Sequence, residues 1–248
     1  MLKVSNLMVF FENALAINDF SMEVKEGELI GILGPNSAGK TTLMNAISGL
    51  LVDIRTKEMR RGGERISIYG TITYKGEDIT WMDPSLRVKK GIVLCRERHP
   101  IFKESSVIEN LKIAGYLQPY SQVKKMVEYS LNVFPSLNRL KHRKAGFMSG
   151  GEQQMLAVGM ALVAQPQLLL LDEPLLGLSP MIQRQLMDTV LNLRKDLSLT
   201  VVIAEQFARP VLPVIDRGYV IENGILTVSG TGPELMDNPE VKAAYLGG

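Results

Sequence analysis

The chain has 248 residues, 46% of them hydrophobic, enough to bury a real core in one large α/β domain or in one domain with a subdomain. Its 28 Lys and Arg stand against 26 Asp and Glu, a formal charge of +2, so no global field steers it to nucleic acid or anionic lipid. The single cysteine, Cys95, excludes internal disulfides and fits a reducing compartment, and the longest apolar run, residues 155–164, is too short to span a membrane. The opening residues 1–6 lack a basic stretch followed by an apolar one, so no signal peptide is expected.

In chain order, the apolar stretches 7–11 and 20–24 read as strands joined by a hairpin-like turn, the second alternating as Phe20, Met22, Val24. Phe10 and Phe11 precede that turn, where one ring could stack on a purine; otherwise both are plain core. The apolar run 29–33 leads into Gly34-Pro35-Asn36-Ser37-Ala38-Gly39-Lys40-Thr41, which fits G-x-x-x-x-G-K-[ST] at every fixed position. Gly34 and Gly39 permit a tight loop whose amides face inward. Lys40 reaches the outer phosphates of a nucleoside triphosphate, Thr41 ligates Mg²⁺, and the helix dipole favours the negative charge. From Thr42 an amphipathic helix continues to Leu50. Residues 53–65, rich in both charges and ending near Gly62-Gly63, then read as a solvated loop whose interspersed acids argue against a nucleic-acid patch.

Alternation at Ile66, Ile68, Ile72 and Tyr74 with a turn at 76–78 suggests an antiparallel pair beside the main sheet. The apolar run 91–95 reads as a buried strand, and it opens into Arg96-Glu97-Arg98-His99, at the kind of strand end where α/β sheets place function. Residues 105–145 carry helical patterns, 107–117 and 122–133, broken at Pro119 and Pro135, with no strand between them. Ser149 with Glu152 forms a capping box. It leaves Gly150 and Gly151 unexplained, because two glycines in a first turn cost up to about 1 kcal/mol each relative to alanine. Either a phosphate or a tightly packed neighbour must approach that backbone.

The run 168–171 ends in Asp172-Glu173, a carboxylate pair at a buried strand end that is costly unless it meets a cation or a reacting group. Asp172 suits a magnesium shell and Glu173 an attacking water. A helix over 181–193, a buried strand over 200–204 ending in Glu205-Gln206, a hairpin turning at Asn223-Gly224, a short helix near 233–236 and a tail over 241–248 complete the chain.

The loop 34–41, Ser149-Gly150-Gly151-Glu152-Gln153 and Leu168 to Glu173, in that order, resemble the ATP-binding subunits of ABC transporters over essentially the whole chain. GTPases and kinases that share the phosphate loop lack the Ser-Gly-Gly-Glu-Gln element. Arg96-Glu97-Arg98, Glu205-Gln206, residues 172–180 and 216–224 and the ending Ala244-Tyr245-Leu246-Gly247-Gly248 are similar to the LivF type, the ATPase subunits of branched-chain amino acid importers; urea and short-amide importers use similar subunits. Ser37 stands where a Gly is usual, Phe11 where an adenine-stacking Tyr often stands, Glu97 where most have Gln, and Gln206 where most have the switch His.

The resemblance implies an α/β P-loop NTPase (RecA-like) core with an antiparallel β subdomain, residues 1–104 and 166–248, and an inserted α-helical subdomain, 105–165. It implies ATP on Phe11, residues 34–42 including Thr42, and Mg²⁺ on Thr41, Glu97 and Asp172, with Lys40, Glu173 and Gln206 in catalysis. It further implies a head-to-tail dimer with a second ATPase subunit, whose bound ATP is closed by Ser149, Gly150, Gly151 and Glu152. Two permease subunits would dock near 96–104, at the cytoplasmic face of the membrane, with a solute-binding protein beyond them and no nucleic acid. The other readings are a soluble ABC ATPase without a transport role and a regulatory subunit with little hydrolysis of its own.

Overall fold

The computed structural model describes residues 1–63, 65–97 and 100–246; Glu64, Arg98, His99, Gly247 and Gly248 lie outside the described residues. Strands β1 (Leu2–Phe11) and β2 (Ala14–Val24) form a long hairpin, followed by β3 (Leu29–Leu33). Helices α1 (Lys40–Ser48) and α2 (Leu50–Met59) precede β4 (Ile66–Tyr74), β5 (Glu77–Asp78), α3 (Pro84–Lys89) and β6 (Ile92–Cys95). Four helices come next without an intervening named strand: α4 (Val107–Ala114), α5 (Tyr120–Val133), α6 (Pro135–Arg139) and α7 (Gly150–Val163). The chain then returns through β7 (Leu168–Asp172), α8 (Pro180–Leu197), β8 (Thr200–Glu205), β9 (Arg217–Glu222) and β10 (Ile225–Thr231) to α9 (Gly232–Asp237) and α10 (Pro239–Val241).

Two sheets result. The larger has the order β10-β9-β3-β8-β7-β6, with β9, β3, β8, β7 and β6 parallel and β10 added antiparallel at one edge. The smaller, β2-β1-β4-β5, is antiparallel. Because side chains alternate along a strand, the leucine-rich parallel strands feed two cores at once. Leu29, Leu169, Leu171, Val201 and Ile203 face α7 and α8, whereas Ile30, Ile32, Leu168, Leu170 and Val202 face α1 and the small sheet. Helix α1 is therefore packed between the two sheets, and its N-terminus is fixed by both. This is the α/β P-loop NTPase architecture that the resemblance implies.

The segment 53–65 departs from expectation, because α2 runs to Met59 and only the end is loop. Gly49, in the left-handed region at φ 85°, closes α1 and lets the next helix start at once. Only Leu51 and Val52 of α2 are buried, so its apolar signal is faint. Polar contacts compensate: Lys57 pairs with Asp53 at 2.7 Å four residues back, and the Arg55 guanidinium lies 5.1 Å over the Trp81 ring. Helix α3, too short for periodicity, was not expected. Neither was the helical tail, which turns through a single π-helical stretch at Lys242–Leu246. Phe10 and Phe11 are not core: Phe11 is exposed and Phe10 meets the Tyr69 ring edge-on at 6.1 Å.

Candidate active site

The phosphate-loop sequence leaves the carboxyl end of β3 and enters α1, with Pro35, Asn36 and Ser37 exposed at its crest. Its path needs close backbone approaches. A Cβ at Gly34 would run into the Ile221 carbonyl, and one at Gly39, at φ 106°, would sit 2.7 Å from the Ala16 carbonyl. Ser37 is also left-handed, at φ 64°, in the position where a glycine was expected. The β9–β10 turn braces the loop, since the Gly224 N–H donates to the Ala38 carbonyl (3.0 Å) while the Asn18 N–H donates to the Gly224 carbonyl (2.8 Å). Ala16 and Asn18 of β2, just beyond the hairpin tip that carries Phe11, thus lie against the loop and its brace.

Lys40 is almost wholly buried. Its ammonium donates to the carbonyls of Gly34 (3.0 Å) and Pro35 (2.9 Å) and pairs with Glu173 Oε1 at 3.1 Å. The Thr41 hydroxyl donates to Asp172 Oδ1 at 3.2 Å. Asp172 ends β7, and Glu173 follows it in the left-handed region at φ 48°, its N–H held by the Ala204 carbonyl at 2.9 Å. A non-glycine residue there stores roughly 1–3 kcal/mol, and such strain gathers at functional positions. Burial pushes the Asp172 carboxyl up to about 6; the charges of Glu173 and Glu97 add to this, and the Thr41 hydrogen bond and Lys40 oppose it. Glu97, two residues past the end of β6, is close enough for its charge to act on Asp172.

These residues fit a magnesium nucleotide. Thr41 and Asp172 offer a hydroxyl and one carboxylate, hard oxygen donors of the kind Mg²⁺ takes together with substrate phosphates. Among the described residues no group of three or more His, Cys, Asp or Glu could hold a metal alone.

Gln206 follows β8 directly and is half-buried. Glu205, one residue earlier, is fully buried; burial pushes its carboxyl up to about 8, and its oxygen accepts from the Leu175 N–H at 2.7 Å. Sequence reasoning named Glu205 as the strand end but gave it no role, although it stands there as Asp172 does. It also passed over Asn110, whose buried amide bonds Phe102 N–H (2.7 Å) and the carbonyls of Phe102, Ser105 and Ser106, fixing the loop that leads into α4. Nor does periodicity point to Arg87, which ends α1 by donating to the Ala46 and Ile47 carbonyls.

The Ser149 segment stands elsewhere. The capping box is present, with Glu152 Oε2 accepting from the Ser149 N–H at 2.8 Å. The two glycines divide: a Cβ at Gly151 would meet Ile182 at 3.2 Å, so helix packing accounts for it, while Gly150 faces open space. This segment lines a cavity of about 490 Å³ with Arg139, Gly177 and Ser179, and no residue of 34–41 forms its wall.

Residues 17–176 match the ABC transporter family. The chain is 37% identical over 248 residues, the full length of both, to the High-affinity branched-chain amino acid transport ATP-binding protein BraG of Pseudomonas aeruginosa. It is 33% identical, over all of its own length and 99% of the other, to the Probable branched-chain amino acid transport ATP-binding protein LivF of Archaeoglobus fulgidus. Among solved structures, the ADP conformation of an ATP-binding cassette of an ABC transporter superposes with a TM-score of 0.80 at 28% identity, covering 100% of this chain and 99% of that one. With the motif order, the two-sheet fold and these full-length likenesses in agreement, the chain belongs to the ABC transporter family.

Proposed function

We propose that the chain is the ATP-hydrolysing subunit of an importer for branched-chain or other hydrophobic amino acids, working at the cytoplasmic face of the membrane beneath two permease subunits. The observation that carries the reading is the meeting of Lys40 and Thr41, at the start of α1, with Glu173 and Asp172, at the end of β7. Relatives named for branched-chain amino acid transport, similar over their full lengths, support the solute class. No helix among the described residues is long and apolar enough to cross a membrane, so the permeation path is assigned to partners.

Magnesium ATP, when bound, supplies the phosphoryl group and a divalent charge that offsets its oxygens. Backbone N–H groups of residues 34 and 36–42 cradle the phosphates around Pro35, which has none to donate, Lys40 turns its ammonium toward them, and Phe11 offers its exposed ring to the base. Thr41, Asp172 and Glu97 hold the metal. Glu173 accepts the proton of the attacking water, and the Gln206 amide donates a hydrogen bond to the outermost phosphate. Ser149, Gly150, Gly151 and Glu152 present a helix N-terminus to the nucleotide of a second ATPase subunit, in a head-to-tail pair. Residues 105–165 are read as the helical subdomain, and a solute-binding protein acts beyond the permeases.

The test is Glu173→Gln. It should keep ATP affinity, hydrolyse at least about 100-fold more slowly, and gather into a two-chain assembly with ATP, alone or with its partner ATPase. Undiminished hydrolysis would remove Glu173 from the reaction, and permeases recovered with a binding protein for another solute would overturn the amino-acid assignment.

A further inference from the structure

The last residue of β8 has no part in the chemistry just described, yet it is the most deeply buried carboxyl near it. Glu205 is 1% exposed, and Leu175, whose N–H it accepts at 2.7 Å, lies two residues beyond Glu173. The preceding residue of β8, Ala204, takes the N–H of Glu173 itself at 2.9 Å. The turn at 173–175 is thus pinned at both ends by consecutive residues of one strand, and the next residue of that strand's chain is Gln206. From the other side, the Gln183 amide donates to the Leu175 carbonyl at 3.2 Å.

We propose that Glu205 is a positioning residue, whose buried carboxyl ties the turn behind Glu173 to the strand that delivers Gln206. This rests on the roles proposed above for Glu173 and Gln206. The physical case is one of cost. A carboxyl out of water is unfavourable even when protonated unless its oxygens are used, and an apolar side chain would fill the same space more cheaply. What an apolar side chain cannot do is accept from Leu175, and Glu173, held left-handed, keeps its conformation only while its surroundings over-determine it. One hydrogen bond and one peptide step then join the group that takes the water's proton to the group that contacts the outermost phosphate.

Two variants of similar volume separate the hydrogen bond from bulk. E205Q keeps an acceptor for Leu175; E205M keeps the shape and removes it. In E205M, kcat should fall by about tenfold or more while the KM for ATP stays within about threefold, because misplacing a reacting group costs rate more than binding. E205Q should restore kcat to within about threefold of the wild type. Amide hydrogen exchange at Leu175, read in the same proteins without nucleotide, should accelerate about tenfold in E205M alone, as expected for one lost buried hydrogen bond. Unchanged kcat in E205M, equal slowing in E205Q, or unchanged Leu175 exchange would each overturn the proposal. Hydrolysis indifferent to Glu173→Gln would instead count against the role of Glu173, and the exchange at Leu175 would still decide whether the tether exists.

Discussion

Lys40 and Glu173, 133 positions apart in the sequence, form a buried ion pair of 3.1 Å at the mouth of the loop, with the lysine also bonded to two loop carbonyls. The cation thus keeps the strained carboxylate in place, and removing it leaves a charge stranded in the interior. Lys40→Ala should lose most ATP affinity and, without nucleotide, destabilise the protein by about 3–5 kcal/mol. Adding Glu173→Gln should recover part of that loss. Denaturant unfolding of the two singles and the double measures it, and strictly additive losses would show that the pair contributes nothing.

Gln206 can donate a hydrogen bond but cannot gain a proton as imidazole does. Gln206→His should raise kcat severalfold with little change in the KM for ATP. A variant no faster than the wild type, in steady-state hydrolysis with the partner ATPase present, would show that this residue does not limit the rate.

Ser37 stands left-handed on the loop crest, where a side chain costs about 1–2 kcal/mol that glycine does not. Ser37→Gly also loosens the unfolded chain by about 0.4–1 kcal/mol, so its net effect on stability should be small and stabilising, with ATP affinity kept. Ser37→Val, stiff at its branched carbon, should lower both. Calorimetric melting with and without ATP checks the pair; a tolerated valine would mean that the loop does not hold this conformation.

Glu205 and Asp172 also give stability a pH slope. Their carboxyls are raised by burial to about 8 and about 6 from ordinary values of 4.5 and 3.8. Between the ordinary and raised values the folded chain keeps protons that the unfolded chain has released, so stability is greatest below the ordinary values and falls as pH rises. The Glu205 contribution should be lost progressively from pH 4.5 to 8 and be flat above. E205Q should flatten that part of the profile and exceed the wild type in stability at pH 8. Parallel urea profiles for the two proteins would remove Glu205 as the source.

Local chemistry was enough for several parts. The glycine spacing of 34–41, the carboxylates closing a leucine run, the Ser149 capping box and the Asn223-Gly224 turn each depend on neighbours a few residues away, so the order of residues by itself determined them and the resemblance they carry. The tertiary structure decided what depends on distant partners. Helix α2 exists because a left-handed Gly49 permits it and polar contacts support it, not because of an apolar stripe. Phe11 is exposed because it ends its strand at the hairpin tip. Glu173 adopts a strained backbone because Ala204 and Glu205, from another strand, take the hydrogen bonds of its turn. Gly150 and Gly151, the same residue type side by side, differ in that Ile182 and Leu178 pack against the second while the first faces open space. Sequence spacing records which groups a chain carries, whereas burial and pairing across strands set which of them meet and at what electrostatic cost.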